Sequence, residues 1–596
     1  MFKGYVIKFL KIEDREGRQG DWYYAIRNNS YASILQYTGH DTRITVPEEF
    51  EGYPVEEIYM AKDRVTPYMG RRGTFPESAE EIVLPQTLKT IGNNAFSACI
   101  NLKKIHIPDS VWYIEDFAFA DCRSLTEIVL PASLQRLTFD CFLDCEKLEK
   151  VSIPDSLTEI ANGAFGRCTS LREVKLPSGL VEIGFGAFGG CCNLERLTIS
   201  EESQQFMTED GILFTKGKKE QVIYPLGKKD KEYTVPDTVT GRVSFGGNSN
   251  LEKVVFPEVM DLSLIGFGGC ENLKEVTLPR EVMSLERIDF EGCVKLKEVI
   301  LPRNVTGKPC ALMFRDCRSL GEIHLPPETK RIYQAAFYGC DSLKQVHLPE
   351  GVEHTNWSAF DHCKNLQSIS IGPKTDVEKW PESCPKLERI DLHPDNPYYY
   401  EADGVIYSKR ENRLLYCLPT RKDDTFYVPE HVTAIGQYAF NNCINLRKIV
   451  LHDKVEKVER YAFSHCTSLE EIRLPDTLTW LNDGAFEYCE SLKEVRLPSK
   501  LGKISCFLFA HCTGLEEIRI PEGVKLLDSY AFCGCSNLKK VTIPRSVEEF
   551  GVCIFNGCDK LTEIVCTGGK RRWTRRKVMS NGVFPEQVVF SFPAEE

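Results

Sequence analysis

Ala95-Phe96-Ser97-Ala98-Cys99-Ile100-Asn101-Leu102-Lys103-Lys104-Ile105-His106-Ile107-Pro108 decides the fold, because its grammar returns every 23 residues. Phe and Cys three apart recur at Phe96/Cys99, Phe119/Cys122, Phe142/Cys145, Phe165/Cys168 and Phe188/Cys191, and the last such pair is Phe555/Cys558. A fixed period of this length marks a solenoid: one coil cannot bury its own apolar face, so stacking makes the core and the displayed surface makes the function.

Outward from the Cys, each unit continues as L-x-x-I-x-L-P, as in Leu102, Ile105, Ile107 and Pro108, or Leu492, Val495, Leu497 and Pro498. The period falls to two here, which predicts a short strand whose Ile105-type residues point inward and whose neighbours point out. The proline has no N–H and stops the ladder. A second apolar pair, Leu157/Ile160 or Leu478/Leu481, supplies the opposite wall.

Alignment on the Cys gives three blocks: Cys99 to Cys191, then Cys270, Cys293, Cys317, Cys340 and Cys363, then Cys443 to Cys558. Asn248 and Cys384 mark two degenerate units, for 18 coils, 17 of them with the Phe. Two similar segments break the beat, EDGILFTKGKKEQVIYPLGKKDKEYTVP from Glu209 and ADGVIYSKRENRLLYCLPTRKDDTFYVP from Ala402. Both read as β-hairpins, and Asp210-Gly211 and Asp403-Gly404 read as turns because the further oxygen ligands of a calcium loop are missing. The expected architecture is a strand-rich repeat solenoid of the α/β type, with about 18 coils and two hairpin insertions. Its expected organisation is a capping region and first irregular repeat (1–78), repeats (79–199), hairpin (200–236), repeats (237–392), hairpin (393–429), repeats (430–567) and a C-terminal cap with a basic cluster (568–596).

Of 596 residues, 42% are hydrophobic and 27% charged, as in folded soluble proteins. The net charge of −12, from 86 acidic and 74 basic residues, argues against nucleic acid or anionic membrane as a partner of the whole chain. No stretch approaches the ~18 apolar residues of a membrane helix, so no membrane span is expected. The opening MFKGYVIKFLKIEDREG, interrupted by Lys3, Lys8 and Lys11, makes a poor secretory signal. Cytoplasmic or leaderless residence is therefore expected, with the cell surface or secretion as the alternative, and a monomer is expected. The 25 cysteines mostly share one register, which suggests a buried ladder of free thiols packed as small apolar groups in a reducing compartment.

The unit AFxxCxxLxxIxLP resembles the leucine-rich repeat of BspA-like, or Treponema-type, surface proteins, and Ser33–Ile58 resembles their opening unit. The resemblance implies a curved solenoid with one strand per repeat lining a concave face. It also implies binding to proteins of a host, a matrix or another cell.

Outward strand positions are the natural contact surface of a repeat binder. Glu471, Glu494 and Glu517 form one column and Arg473, Arg496 and Arg519 the next. They are either an exposed ladder of mutually neutralised pairs or a patterned patch that orients a protein partner. His324 and His347 fall on neighbouring coils beside Glu322 and are further candidates for protein contact. His362, His465 and His511 each precede a ladder Cys, but the Cys points inward, so no metal site is expected. Lys570, Arg571, Arg572, Arg575, Arg576 and Lys577 around Trp573 could bind an anion or shield the end of the stack. No nucleophile elbow, zinc-protease motif or phosphate loop is present, and no cofactor is expected. The expectation is a non-enzymatic protein-binding scaffold, with a carbohydrate-active or carbohydrate-binding solenoid as the alternative.

Overall fold

The computed structural model describes residues 14–59, 73–217, 220–282, 285–302, 304–305, 311–567, 585 and 588–592. It is a strand-rich solenoid of about 22 turns, divided into two compact units, residues 1–293 and 294–596.

The first unit opens with an antiparallel meander of Arg15–Gln19, Trp22–Arg27 and Tyr31–Tyr37. Its third strand continues as a parallel ladder through Tyr53–Ile58, Thr90–Ile91 and Tyr113–Ile114, which forms one wall. The other wall is the strand face, built from Arg43–Thr45, Glu81–Val83 and Lys104–His106, then Glu127–Val129 with Lys150–Ser152, then Glu173–Leu176 with Arg196–Ile199. Along Lys104–His106 and Glu127–Val129 the central residue is buried and its neighbours are exposed, the alternation that the L-x-x-I-x-L-P pattern predicts.

Between the walls the Phe rings stack face to face. Phe75, Phe96, Phe119 and Phe142 succeed one another at 5.0 Å between centroids, and Phe165 and Phe188 continue the column at 5.5 and 5.2 Å. The Cys beside each ring is more than a small apolar spacer. The Sγ of Cys122, Cys145 and Cys168 each donates at 3.2 Å to the carbonyl of the Phe one coil earlier, Phe96, Phe119 and Phe142. Each of these carbonyls also accepts the N–H of the Cys three residues on, at 3.2 to 3.3 Å, so the thiol serves the second lone pair and is held by hydrogen bonding as well as by volume. Asn248 does the same work, donating Nδ2–H to the carbonyls of Pro225 and Leu226 at 3.2 and 3.1 Å. Burial pushes the Cys99 and Cys191 thiols up to about 12, which keeps them protonated as donors. None of the described cysteines forms a disulfide.

The first interruption has three strands, Phe206–Glu209, Ile212–Thr215 and Gln221–Ile223, where the sequence pattern predicts a two-stranded hairpin. The additional strand precedes Asp210-Gly211, whose φ values of 51° and 78° make the tight turn that such a pairing needs.

The second unit repeats the plan. Its meander is Tyr399–Ala402, Val405–Ser408 and Arg413–Cys417, and the third strand again leads into a parallel wall through Ala434–Ile435, Lys457–Val458 and Trp480–Leu481. Phe440, Phe463, Phe486, Phe509, Phe532 and Phe555 stack at 5.3 to 5.7 Å. The strand face runs Thr425–Tyr427, Lys448–Val450 and Glu471–Arg473, then Glu517–Arg519, Lys540–Ile543 and Glu563–Cys566. Val589–Ser591 adds a last parallel strand on Glu563–Cys566.

The turn count exceeds 18 because some coils lack the Phe-x-x-Cys mark. Phe75 joins the Phe stack, yet Ser78 stands three residues after it, and the strands Glu232–Thr234 and Thr425–Tyr427 return from the meanders without a Cys unit of their own. Among the described residues no helix is long and apolar enough to cross a membrane.

Candidate protein-interaction site

The strand alternation places Glu471, Arg473, Glu494, Arg496, Glu517 and Arg519 outward, all exposed, over the buried Ile472, Val495 and Ile518. The Glu and Arg of one coil do not pair with each other. Glu471 is held by Lys448 of the preceding coil, with both carboxylate oxygens 2.8 Å from Nζ. Among the described residues Arg496 reaches only Asp476, at 3.9 Å. Among the described residues Glu494, Glu517, Arg473 and Arg519 form no ion pair, so the neutralised-ladder reading does not describe this face.

The cause lies in the order of charges down the column. Lys448 precedes Glu471 and Lys540 comes after Glu517, but Glu494 has a Glu on either side. Like charges directly opposite on neighbouring strands destabilise their pairing. In the run from Thr425 to Cys566, the coil of Glu494 is the one without an assigned strand on this face, although it keeps Lys503–Ile504 on the opposite wall. The ladder opens there into a furrow of about 850 Å³, lined by Lys493–Leu497, Glu516–Arg519, Pro521, Lys540 and Thr542. The columns flanking the furrow are satisfied from outside. Lys539 bonds to Glu516 at 2.6 Å and Lys540 to Glu563 at 2.9 Å, and these contacts hold both carboxyls below their ordinary range.

His324 and His347 lie on adjacent coils joined by an isolated parallel bridge. His324 Nε2 turns to Glu322 of its own coil at 3.1 Å, and the bridge from Ile300 to His324 is likewise isolated, in a stretch where Glu298 and Glu322 are successive like charges. His465 and His511 sit in the left-handed region at φ 56° and 61°, and their rings sandwich Tyr488 at 4.6 and 4.4 Å. Burial pushes the His465 imidazole down. Among the described residues no three His, Cys, Asp or Glu side chains converge as a metal site. Lys570, Arg571, Arg572, Trp573, Arg575, Arg576 and Lys577 lie outside the described residues. The sequence reading missed the furrow, although three Glu in one register were its visible signal.

Coils of two short strands and one Phe-Cys turn, stacked in register and displaying charged columns, define a leucine-rich repeat protein. The BspA type Leucine rich repeat region matches in six copies over residues 75–195, 137–210, 238–367, 310–399 and 420–532, and the chain belongs to this family. Among solved structures the chain is similar to a leucine rich cell surface protein from Faecalibacterium prausnitzii, at 22% identity over 94% of this chain and 96% of that one, with a TM-score of 0.27. It is also similar to the pneumococcal vaccine antigen PcpA, at 18% identity over 78% and 93%, TM-score 0.39. A leucine-rich repeat protein from Bacteroides ovatus matches at 19% identity over 99% and 100%, TM-score 0.24. No curated protein matches the chain.

Proposed function

We propose that the protein is a non-enzymatic scaffold for protein recognition, of the adhesion or cell-interaction type, and that the strand face from Glu471 to Arg519 holds its partner. One observation carries this reading: two columns of opposite charge stand side by side, and four of their six members have no ion-pair partner among the described residues. Exposed charges that are already paired give a partner little, whereas unpaired, register-locked charges orient an incoming protein and reject one of the wrong pattern. Arg suits the second column because its planar fork takes a carboxylate bidentately. The furrow at Glu494 adds relief to a face that would otherwise be flat. His324 and His347 extend the same face earlier in the unit as secondary contacts.

The test is affinity capture on the full chain and on Arg473→Ala/Arg496→Ala/Arg519→Ala. The expected result is a partner retained by the first and lost, by about tenfold or more, from the second. Equal retention of every captured protein would defeat the assignment of this face.

A further inference from the structure

The two internal meanders share one plan, from Glu209 to Pro236 and from Ala402 to Pro429, yet they sit differently on the strand before them. In the first unit Gly211 presses on Arg196: a Cβ added at Gly211 would come within 3.2 Å of the Arg196 Cα. Its carbonyl accepts from the Leu197 N–H at 2.9 Å. The Asp210-Gly211 turn therefore occupies the outer edge of the strand Arg196–Ile199.

Gly404 has the same backbone, with φ 73° against 78°. A Cβ there would meet only Leu418, at 3.4 Å from Cδ1, and nothing of Arg389. Its carbonyl accepts from the Leu418 N–H at 3.0 Å. The residue that corresponds to Leu418 in the first meander is Pro225, which has no N–H to give. That difference redirects the carbonyl. With proline the glycine oxygen turns to the strand, and with leucine the meander keeps it.

The strand Arg389–Leu392 is left with an open edge. Arg389 and His393 donate to the carbonyls of Gln367 and Ile371 at 3.1 and 2.9 Å, so strand alternation turns the Ile390 N–H to the other side, where Leu197 meets Gly211 in the first unit. In place of a turn there is a cleft of about 650 Å³, lined among others by Ile390, His393, Tyr400, Glu401, Gly404 and Lys409. Several of its charged walls are already engaged: Arg389 with Asp391 at 2.9 Å, Lys409 Nζ on the Asn396 carbonyl at 2.7 Å, and Glu401 accepting from the Gly404 N–H at 2.6 Å.

We propose that this cleft is a docking slot for a tight turn of a partner polypeptide. The turn sits on the outer edge of Arg389–Leu392 and presents a backbone carbonyl to the Ile390 N–H, as Gly211 does to Leu197. A glycine or other small residue fits at the point of contact, because Gly211 in the matching position lies against backbone. The slot reads main chain more than charge, and it is independent of the columns at Glu471 to Arg519.

The test uses the full-length protein and a labelled synthetic peptide of residues 206–215, FMTEDGILFT, the segment that fills the matching place. Without peptide, the amide of Ile390 is expected to exchange at least about tenfold faster than that of Leu197, and peptide is expected to slow it. Leu418→Pro frees the Gly404 carbonyl to close on Ile390, and should weaken peptide binding about tenfold or more in fluorescence anisotropy. Should that variant fail to fold, Ile390→Pro, which removes the donor from the outward side of an edge strand, should give the same loss. Equal protection of Ile390 and Leu197 in the free protein, absence of binding at about 1 mM peptide, or binding that survives the substitution would each overturn the proposal.

Discussion

The strand faces of the two units share a register and differ in how charge is ordered along it. In the first unit the leading column reads Arg43, Glu81, Lys104, Glu127, Lys150, Glu173 and Arg196, so every charge has its opposite on the next coil. Arg43–Glu81 and Glu173–Arg196 close to 3.3 and 3.0 Å. The second column there is Thr45, Val83, His106, Val129, Ser152, Lys175 and Thr198, with one Lys among uncharged and His side chains. In the second unit the corresponding columns hold three Glu in succession and three Arg in succession. The same backbone thus carries a column of alternating charge in one place and columns of like charge in the other. The difference comes from sequence order on a common lattice, and the cost appears locally as the lost strand at Glu494.

The strongest check on that comparison is to show that the interiors are equivalent. Phe486→Ala beneath the open columns and Phe142→Ala beneath the alternating one each remove a fully buried ring from the stack. Both should cost about 3–5 kcal/mol in local unfolding measured by native-state amide exchange. A large inequality would mean that more than charge separates the two faces.

Next in size is the thiol donor. Cys489→Ala and Cys145→Ala should each lose about 0.5–1.5 kcal/mol by the same measurement, because the Phe463 and Phe119 carbonyls keep the Cys466 and Cys122 N–H, each at 3.3 Å, and lose their second donor. Equal losses place the thiol bond in the shared lattice. Losses no larger than those of a surface alanine would mean that the Cys serves only as filler.

Charge order itself is tested by exchanging it. Glu494→Lys restores alternation between Glu471 and Glu517 and should stabilise that coil by about 0.5–1 kcal/mol, with slower amide exchange over 493–497. Lys150→Glu, between Glu127 and Glu173, should loosen its coil by a similar amount. If neither substitution moves exchange, charge order does not explain the missing strand.

The smallest effect is chemical. Burial pushes the Cys191 thiol up to about 12, while its neighbour Cys192 is exposed. Iodoacetamide at about pH 8 should therefore label Cys192 in the native protein and spare Cys191, with mass spectrometry as the readout. Labelling of ladder cysteines before Cys192 would show that the coils open readily.

Much of this was legible in the chain because a repeat prints its register. Phe96 and Cys99, once recognised as one step of a ladder, assign an inside or an outside to every residue between Leu102 and Pro108, and the columns at Glu471 and Arg473 come directly from the same register. The cap coil at Phe75 escaped because the step from ring to strand is two residues shorter and Ser78 stands where Cys is expected. The strands Phe206–Glu209 and Tyr399–Ala402 escaped because they become strands only by pairing with Ile212–Thr215 and Val405–Ser408. The open edge at Ile390 could not be read from pattern at all. It depends on which of two amides reaches the Gly404 carbonyl, and that is settled by geometry across 28 residues of meander.

The bond from each Cys thiol to the Phe carbonyl of the coil before it has a bearing on ancestry. Because Cys466 looks back to Phe440, Cys489 to Phe463 and Cys512 to Phe486 in the same way, excising or duplicating one whole period leaves each remaining thiol an equivalent carbonyl. Unequal crossing-over can therefore lengthen or shorten such an array without repair of its interior, and the number of charged rungs on its face changes in whole steps.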